Sequence, residues 1–469
     1  MRKFVVIFLL LATALAQLKA APRVYVNKDS YDQNSEIPAY YTADYYDDLA
    51  RMRGIENLTF DEWFNGAAFF PSWLGLRPAL ADNGIVPIIG YLGNFASNPV
   101  GGRSRSATNT SSVHLGLGLD LEKLTGIKAL EHWSIANTWI WRFGNSLTKE
   151  YLGNTFNVQQ NYGSQTMQLQ SIYAIYNNTF AENWHLTFKI GRFAAGDNFM
   201  SKPIYWLYQN NAFDGNPVGV FKQGRLSAYP GGTWAVYAET RYKDGQYLKA
   251  GVYQISSEMA DSPSKHGLDW SFATADGVNA NWELGWDINH DDSGKNPGNV
   301  SAGLIARWYN VPYVDGSGRH SPFTYTLYFQ ADYMLWNLGP VKGDEARYIQ
   351  RKQDKYRDLR GLIAWAAVQY APNYAVAEMP IFVNGGLLFN APFKSRADDV
   401  ACFGIAYGKF SDRLSSYEAN SHEIAMEFNY KFQINRFMFV QPNVQVILNT
   451  GGGRYSDAMV LGMQYGMAF

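Results

Sequence analysis

Cysteine is almost missing from this chain of 469 residues: Cys402 stands alone. One thiol excludes an intramolecular disulfide and any cysteine-based metal centre. Charge is scarce as well. Asp, Glu, Lys and Arg make up 17% of the residues, below the roughly 25% usual for soluble domains. The signs balance, with 40 Lys and Arg against 41 Asp and Glu, so no basic excess marks a nucleic-acid surface. After the N-terminal leader no segment is apolar for the ~20 residues that a membrane helix needs. A mean hydropathy of −0.26 also excludes a polytopic helical protein. The sequence has no Gly-x-Ser-x-Gly, phosphate-loop or His-Glu-x-x-His motif. Neither a cofactor nor a metal is expected.

Aromatic residues and glycine are abundant instead: 14 Trp, 32 Tyr and 28 Phe, with 43 Gly. Few charges and many rings suit a β-rich protein whose two strand faces meet different solvents. Arg2 and Lys3 precede the apolar run Phe4–Leu11 and the small-residue site Ala14-Leu15-Ala16, the pattern of a secretory signal peptide. We expect residues 1–20 to be this signal, 21–84 to form an N-terminal periplasmic arm with a short helix, and 85–469 to form a transmembrane β-barrel. The arm is acidic and rich in Tyr, and the helix is expected over Trp73–Gly84, stopped by its glycine.

From about Ile85 onward the apolar period is two. Trp184, Leu186, Phe188 and Ile190 alternate with His185, Thr187 and Lys189. Trp282, Leu284, Trp286 and Ile288 alternate with Glu283, Gly285 and Asp287, and Ile424, Met426, Phe428 and Tyr430 with Glu423, Glu427, Asn429 and Lys431. A soluble sandwich also alternates. Aromatic placement separates the two folds, because Trp133, Trp139, Trp141, Trp184, Trp308 and Trp336 gather at expected strand ends, as an interfacial girdle requires. Full charges in mid-strand further suit a wet lumen. Sixteen segments follow, the first near 86–95 and the last near 458–469. That makes an all-β, 16-stranded antiparallel transmembrane barrel with a short N-terminal helical segment. The charged stretch 337–358 falls where a short turn is expected and puts one strand of the count in question. The last strand ends on Phe469, which resembles the assembly signal of bacterial outer-membrane barrels.

Several stretches resemble the OprB-type carbohydrate-selective porins of Gram-negative outer membranes. Residues 74–102 are similar to the family's first helix, first strand and Asn-Pro-x-Gly-Gly loop, and residues 190–217 to its Gly-Arg strand end and long loop. Residues 384–410 carry a similar Asp-Asp turn and Gly-x-Ala-Tyr-Gly-x-Phe strand. Residues 423–453 carry the Glu-x-Asn-Tyr, Gln-Pro-x-x-Gln and Asn-x-Gly-Gly pattern. The resemblance implies a sixteen-stranded pore that passes sugars and is narrowed by an inward loop and charged side chains.

A barrel of this size leaves an aqueous channel. Alternation places Lys189, Arg241, Lys249, Arg307 and Lys431 inward, opposite Asp120, Glu239, Glu283, Asp287, Asp332, Glu423 and Glu427. Mixed signs select poorly between ions, since charge filters use rings of one sign. Sugars suit such a wall, with hydroxyls on charged groups and C–H faces on Tyr237, Tyr253, Tyr309 and Tyr328. Residues 191–231, the longest insertion, are expected to fold inward as the constriction. Arg192 and Arg225 are expected to face carboxylates such as Glu427, with Asp197, Glu239, Arg241 and Glu423 completing the pore-lining set. The resemblance supports Arg192 and Glu427 through their motif positions. Glu423 and Glu427 lie about 13 Å apart along a strand, too far for a glycosidase pair, so no enzyme is expected.

The function read here is passive diffusion of monosaccharides or other small polar solutes through an outer-membrane porin that also conducts ions. The alternatives are a general or dicarboxylate porin, a surface adhesin or scaffold, and a secreted carbohydrate-active enzyme that fractionation would separate. Expected partners are outer-membrane lipids, the assembly machinery reading Phe469, and two further copies in a homotrimer.

Overall fold

The structure, a computed structural model, describes residues 60–64, 68–70 and 72–469, apart from 164, 181–182, 214–217, 243–244, 257–264, 271–275, 290–295, 340–358, 415–420 and 436. The expected signal peptide, the arm before residue 60 and most of the charged stretch 337–358 lie outside the described residues.

Sixteen antiparallel strands close on themselves. The first eight are β1 (Ile85–Gly102), β2 (Ala107–Asp120), β3 (Trp133–Gly144), β4 (Met167–Phe180), β5 (Trp184–Phe193), β6 (Thr233–Tyr242), β7 (Gln246–Ile255) and β8 (Gly277–Ile288). The others are β9 (Gly298–Pro312), β10 (His320–Asn337), β11 (Gly361–Tyr370), β12 (Ile381–Asn390), β13 (Val400–Lys409), β14 (His422–Gln433), β15 (Met438–Leu448) and β16 (Ser456–Ala468). Each strand pairs with its neighbours in sequence, and β1 pairs with β16 from Gly90↔Ala468 to Ser97↔Leu461. Closure leaves no unpaired edge, which a lipid environment demands because it offers the backbone no hydrogen bonds. All sixteen segments read from alternation are strands, and β10 pairs directly with β11, so the even count stands.

Among the described residues two short helices precede the barrel: α1 (Phe60–Phe64) and α2 (Leu76–Asp82). The second begins three residues later than the sequence suggested. Trp73, Leu74 and Gly75 take φ of +47°, +59° and +89°, which no right-handed helix accommodates. The rim where β1 starts and β16 ends is called the terminal rim below, and the opposite one the far rim.

The packing is inverted relative to a soluble domain. Large apolar side chains such as Leu248, Trp282, Leu284, Phe329, Ile405 and Phe428 are exposed on the outer face, while Lys249, Glu283, Gln330, Glu427 and Gln445 are buried inside. A lipid solvent outside and a polar interior account for this order. Rings mark the belt's borders: Trp133 lies 5.2 Å from Tyr176, and Trp184 lies 5.0 Å from Tyr242, at the terminal rim. Trp308 meets Phe323 at 5.3 Å toward the far rim. Trp139 differs from the expectation, because it pairs with Leu115 in mid-strand.

The closing seam is fastened at both ends. At the terminal rim the buried Arg77 of α2 donates to the carbonyls of Phe70 and Phe469 and lies 4.3 Å from the Trp73 ring. At the far rim Pro99 interrupts the pairing of β1 with β16, and the register shifts between Ser97 and Val100. The Asn98 side chain takes over there, donating to the carbonyls of Gly101 and Ser104 and accepting the Ser106 N–H. Gly101, at φ +76°, lies so close to β16 that a Cβ would sit 1.8 Å from the Asp457 carbonyl oxygen. Only glycine fits that crossing.

Candidate functional site: the lumen and its inward loops

The segment 194–232, between β5 and β6, runs across the inside of the barrel. It leaves β5 at Phe193 and meets the wall at once, where Lys189 donates to Asn198 Oδ1 (2.8 Å) and Lys249 to the Asn198 carbonyl (3.2 Å). Further on, Lys202 Nζ donates to Asp332 Oδ2 (2.5 Å) and Asn299 Oδ1 (2.7 Å). Tyr205 Oη then donates to Gln330 on β10 (2.9 Å). A 3-10 turn over Pro203–Leu207 carries the chain to the opposite wall. There Tyr208 Oη accepts from Trp365 Nε1 (2.9 Å) and donates to the Phe403 carbonyl (3.0 Å). Asn384 and Gln441 donate to the carbonyls of Ala212 and Leu207. Most of these tethers use a polar side chain at an inward strand position, which the two-residue period supplies.

Two inward carboxylates on β14 do the same job for two different loops. Glu427 accepts the backbone N–H groups of Gln209 (2.9 Å) and Asn210 (2.7 Å), together with Asn429 Nδ2 (2.7 Å). Glu423, four residues away on the same face, accepts the N–H groups of Thr155 (2.9 Å), Phe156 (3.2 Å) and Gly451 (2.6 Å). Bonds from N–H to a carboxylate are among the stronger ones in proteins. The second loop, 145–166, is also held by Gln159, which donates to the Asn94 carbonyl (2.9 Å), and by Asn161, which donates to the Leu92 carbonyl (3.1 Å). The two loops touch each other through the Asn211 N–H and the Asn157 carbonyl (2.8 Å).

Between these loops and the wall of β11–β15 lies an apolar cluster inside the barrel, including Leu152, Phe156, Tyr208, Phe213, Trp365 and Phe382. The wall makes room for it. A Cβ on Gly404 would lie 2.9 Å from the Tyr208 ring and 3.0 Å from Phe213, so a larger residue there would push the loop off its seat.

In the other half of the lumen, along β5–β10, the loop 194–232 packs Phe199, Met200 and Val220 against Tyr237, Tyr253 and Tyr328, and a lattice of opposite charges runs beside this cluster. Lys249 meets Glu283 at 3.0 Å, and Lys202 meets Asp332 at 2.5 Å, both pairs almost fully buried. Arg241 bridges Glu239 (2.8 Å) and Asp287 and lies 4.5 Å from the Tyr247 ring. Tyr237 and Tyr328 donate to Glu239 and Glu283, each at 2.7 Å. Arg241, next to the end of β6 at the terminal rim, keeps 32% of its side chain exposed, the most of any group in this lattice.

The residues singled out from sequence thus occupy five places. Glu239 and Arg241 are in contact. Glu423 and Glu427 hold inward loops and meet neither arginine. Arg192, at the end of β5, donates to the carbonyls of Gly232 (3.0 Å) and Gly267 and lies 5.1 Å from the Trp270 ring, buried under the segment 265–270. Arg225 pairs with Asp276 (2.6 Å) near the far rim. Asp197 accepts the Ala194 N–H within the first turn of the loop. The expected facing of Arg192 and Arg225 onto Glu427 is therefore not what the fold makes: the loop's backbone N–H groups occupy that carboxylate. Sequence reasoning missed Lys202, Gln159 and Asn161, which sit in loops without periodicity. It also missed a legible signal, since the inward face of β13 reads Cys402, Gly404, Ala406 and Gly408, with no polar residue for water to meet.

The family described as "Carbohydrate-selective porin, OprB family" matches residues 104–469. Porin B of Pseudomonas aeruginosa is 23% identical over 430 residues, which cover 85% of this chain and 90% of that protein. The high-pH structure of Pseudomonas putida OprB matches with a TM-score of 0.72 at 21% identity, covering 85% of this chain and 97% of that one. Its low-pH structure matches at 0.51 and 17%, covering 86% and 98%. These structural likenesses carry the fold, and the family match spans every strand from β2 to β16. The chain belongs to the carbohydrate-selective OprB porin family and is a β-barrel porin of the bacterial outer membrane.

Proposed function

We propose that small neutral polyols, monosaccharides first among them, cross through the half of the lumen bordered by β5–β10, and that Arg241, Glu239 and Asp287 are the groups they touch. The observation that carries this reading is charge pairing with residual exposure. Every one of these groups has an opposite partner, so the wall presents little net field to an ion. The outer guanidinium nitrogens and carboxylate edges still offer hydrogen bonds to hydroxyls. Binding of this kind is weak and repeated, as passage requires. Glu423, Glu427, Arg192 and Asp197 act as positioning residues that keep 145–166 and 194–232 folded into the barrel, and Arg225 acts at the far mouth. Orientation follows the two inward loops: 145–166 and 194–232 both leave from the far rim, which suits the cell exterior. The exposed apolar belt suits lipid contact, and Phe469, at the end of β16 beside Phe69 and Phe70, suits recognition by the assembly machinery during insertion.

The test is swelling of liposomes carrying the refolded protein. Glucose is compared with an amino acid and a dicarboxylate of matched size, and with a disaccharide. Faster entry of glucose than of its size-matched rivals supports the reading. Entry ranked by size alone removes the preference, and no entry by folded protein removes the open path.

A further inference from the structure

Near the far rim the return leg of the inward loop, β9 with the turn after it and the segment 371–380 line an open pocket of about 390 Å³, within the size range of small-molecule sites. Nothing in the lumen path described above requires it. Its lining joins aromatic faces, Phe221, Tyr309 and Tyr313, to charged groups, Lys222, Arg225 and Glu378. Lys222 pairs with Glu378 at 2.6 Å and Arg225 with Asp276 at 2.6 Å, and all four side chains stay between a third and a half exposed. Each pair therefore keeps donors or acceptors to spare.

The walls are fixed before any ligand arrives. The Met379 N–H donates to the Lys222 carbonyl (3.2 Å), and Gln223 Nε2 donates to the Met379 carbonyl (3.0 Å). The Val314 N–H donates to the Ala375 carbonyl (2.8 Å), and Tyr309 Oη accepts the Arg225 N–H (2.9 Å). An apolar base of Tyr309, Val311 and Val376, with Tyr313 packed on it, closes the floor. Preorganised walls reduce the ordering that binding would otherwise require.

We infer that this pocket is a capture site for one neutral ring sugar at the outer mouth, separate from the lumen wall. Two cations balanced by two anions disfavour a charged solute of either sign, while the rings receive the C–H face and the spare polar atoms receive hydroxyls. The inference rests on the sugar reading above and adds a second, upstream site to it.

The experiment is ion-current block in planar bilayers, with maltose, glucose or succinate added to one side at a time. The parent protein is compared with Tyr313→Ala and Glu378→Gln, and folding is checked by the heat-dependent gel shift of barrels. Block is expected to half-saturate at lower maltose concentration from the far-rim side. Tyr313→Ala is expected to raise that concentration roughly fivefold, and Glu378→Gln to raise it less, with open-channel conductance unchanged in both. Equal half-saturation in the parent and in both folded variants overturns the capture site, as does stronger block by succinate than by maltose. Should the sugar preference itself be wrong, the parent fails the swelling comparison whatever these variants do.

Discussion

Along β11–β15 the inward positions include Trp365, Ala367, Gly386, Cys402, Gly404 and Ala425, with Glu423 and Glu427 among them. Along β6–β10 they include Glu239, Arg241, Lys249, Glu283 and Asp332, among tyrosines such as Tyr237, Tyr253 and Tyr328. Both walls obey the same alternation and carry the same apolar outer belt, yet their interiors behave oppositely. The first wall is small and apolar on β13 and mostly uncharged polar on its neighbours, and it seats two loops whose N–H groups are satisfied by two carboxylates. The second pairs charge with charge and leaves Arg241 partly open. A period of two only decides that a side chain points inward. Its size and partners decide whether the space is filled or kept for solute.

The comparison breaks most visibly at Glu427. In Glu427→Ala three donors lose their acceptor, at about 1–3 kcal/mol for each that stays buried and unmade. The inward loop should release, and single-channel conductance and protease cleavage within 194–232 should both rise. A variant with parental conductance and resistance would separate the carboxylate from loop placement.

The charged half should show its energetics through pairing rather than blockage. Lys249→Met leaves Glu283 buried without its cation, a change that costs about 3–5 kcal/mol. The temperature of the heat-dependent gel shift should fall. Adding Glu283→Gln should restore most of it, and a double variant as labile as the single one would refute the pair. Arg241→Gln removes a partly exposed charge whose ion pairs contribute under ~1 kcal/mol. Stability should hold while the reversal potential in a KCl gradient moves toward cation selectivity; an unmoved potential would place Arg241 off the conducting path.

The smallest effect lies outside both halves, in the far-rim turn 313–319. The Ser317 hydroxyl and N–H, with Arg319 beside them, hold the exposed Asp315 carboxyl down at about 2. A depressed carboxyl stabilises its turn above its ordinary value near 4 and loses that contribution as pH falls through about 2. Amide exchange at Ser317 should therefore speed up on acidification to that range, relative to exchange in a Asp315→Asn variant. Identical profiles for the two would remove the carboxylate from the turn.

Much of the architecture was legible because a barrel strand must satisfy two solvents residue by residue. Leu284 and Glu283 are neighbours that meet lipid and lumen, and that conflict writes itself into any ten residues. The helix start was less legible, because positive φ at Trp73 and Leu74 is set by how α2 seats Arg77 under the seam. The candidate site was legible in part. Glu239 and Arg241 share an inward face and do meet. Glu427 was found, but its partners, the N–H groups of Gln209 and Asn210, belong to backbone and leave no mark in residue type.

By itself the sequence determined the number of strands, their order and which side chains turn inward, since each follows from local alternation between two media. Only the tertiary structure decided that 145–166 and 194–232 both fold into the lumen, the second crossing from the wall of β5–β10 to that of β11–β15, and that Arg192 fastens the far rim instead of facing Glu427. Those outcomes depend on contacts between residues far apart in the chain, such as Gln209 with Glu427 and Arg192 with Gly267. Such contacts exist only after the barrel has closed and brought opposite walls within hydrogen-bond reach.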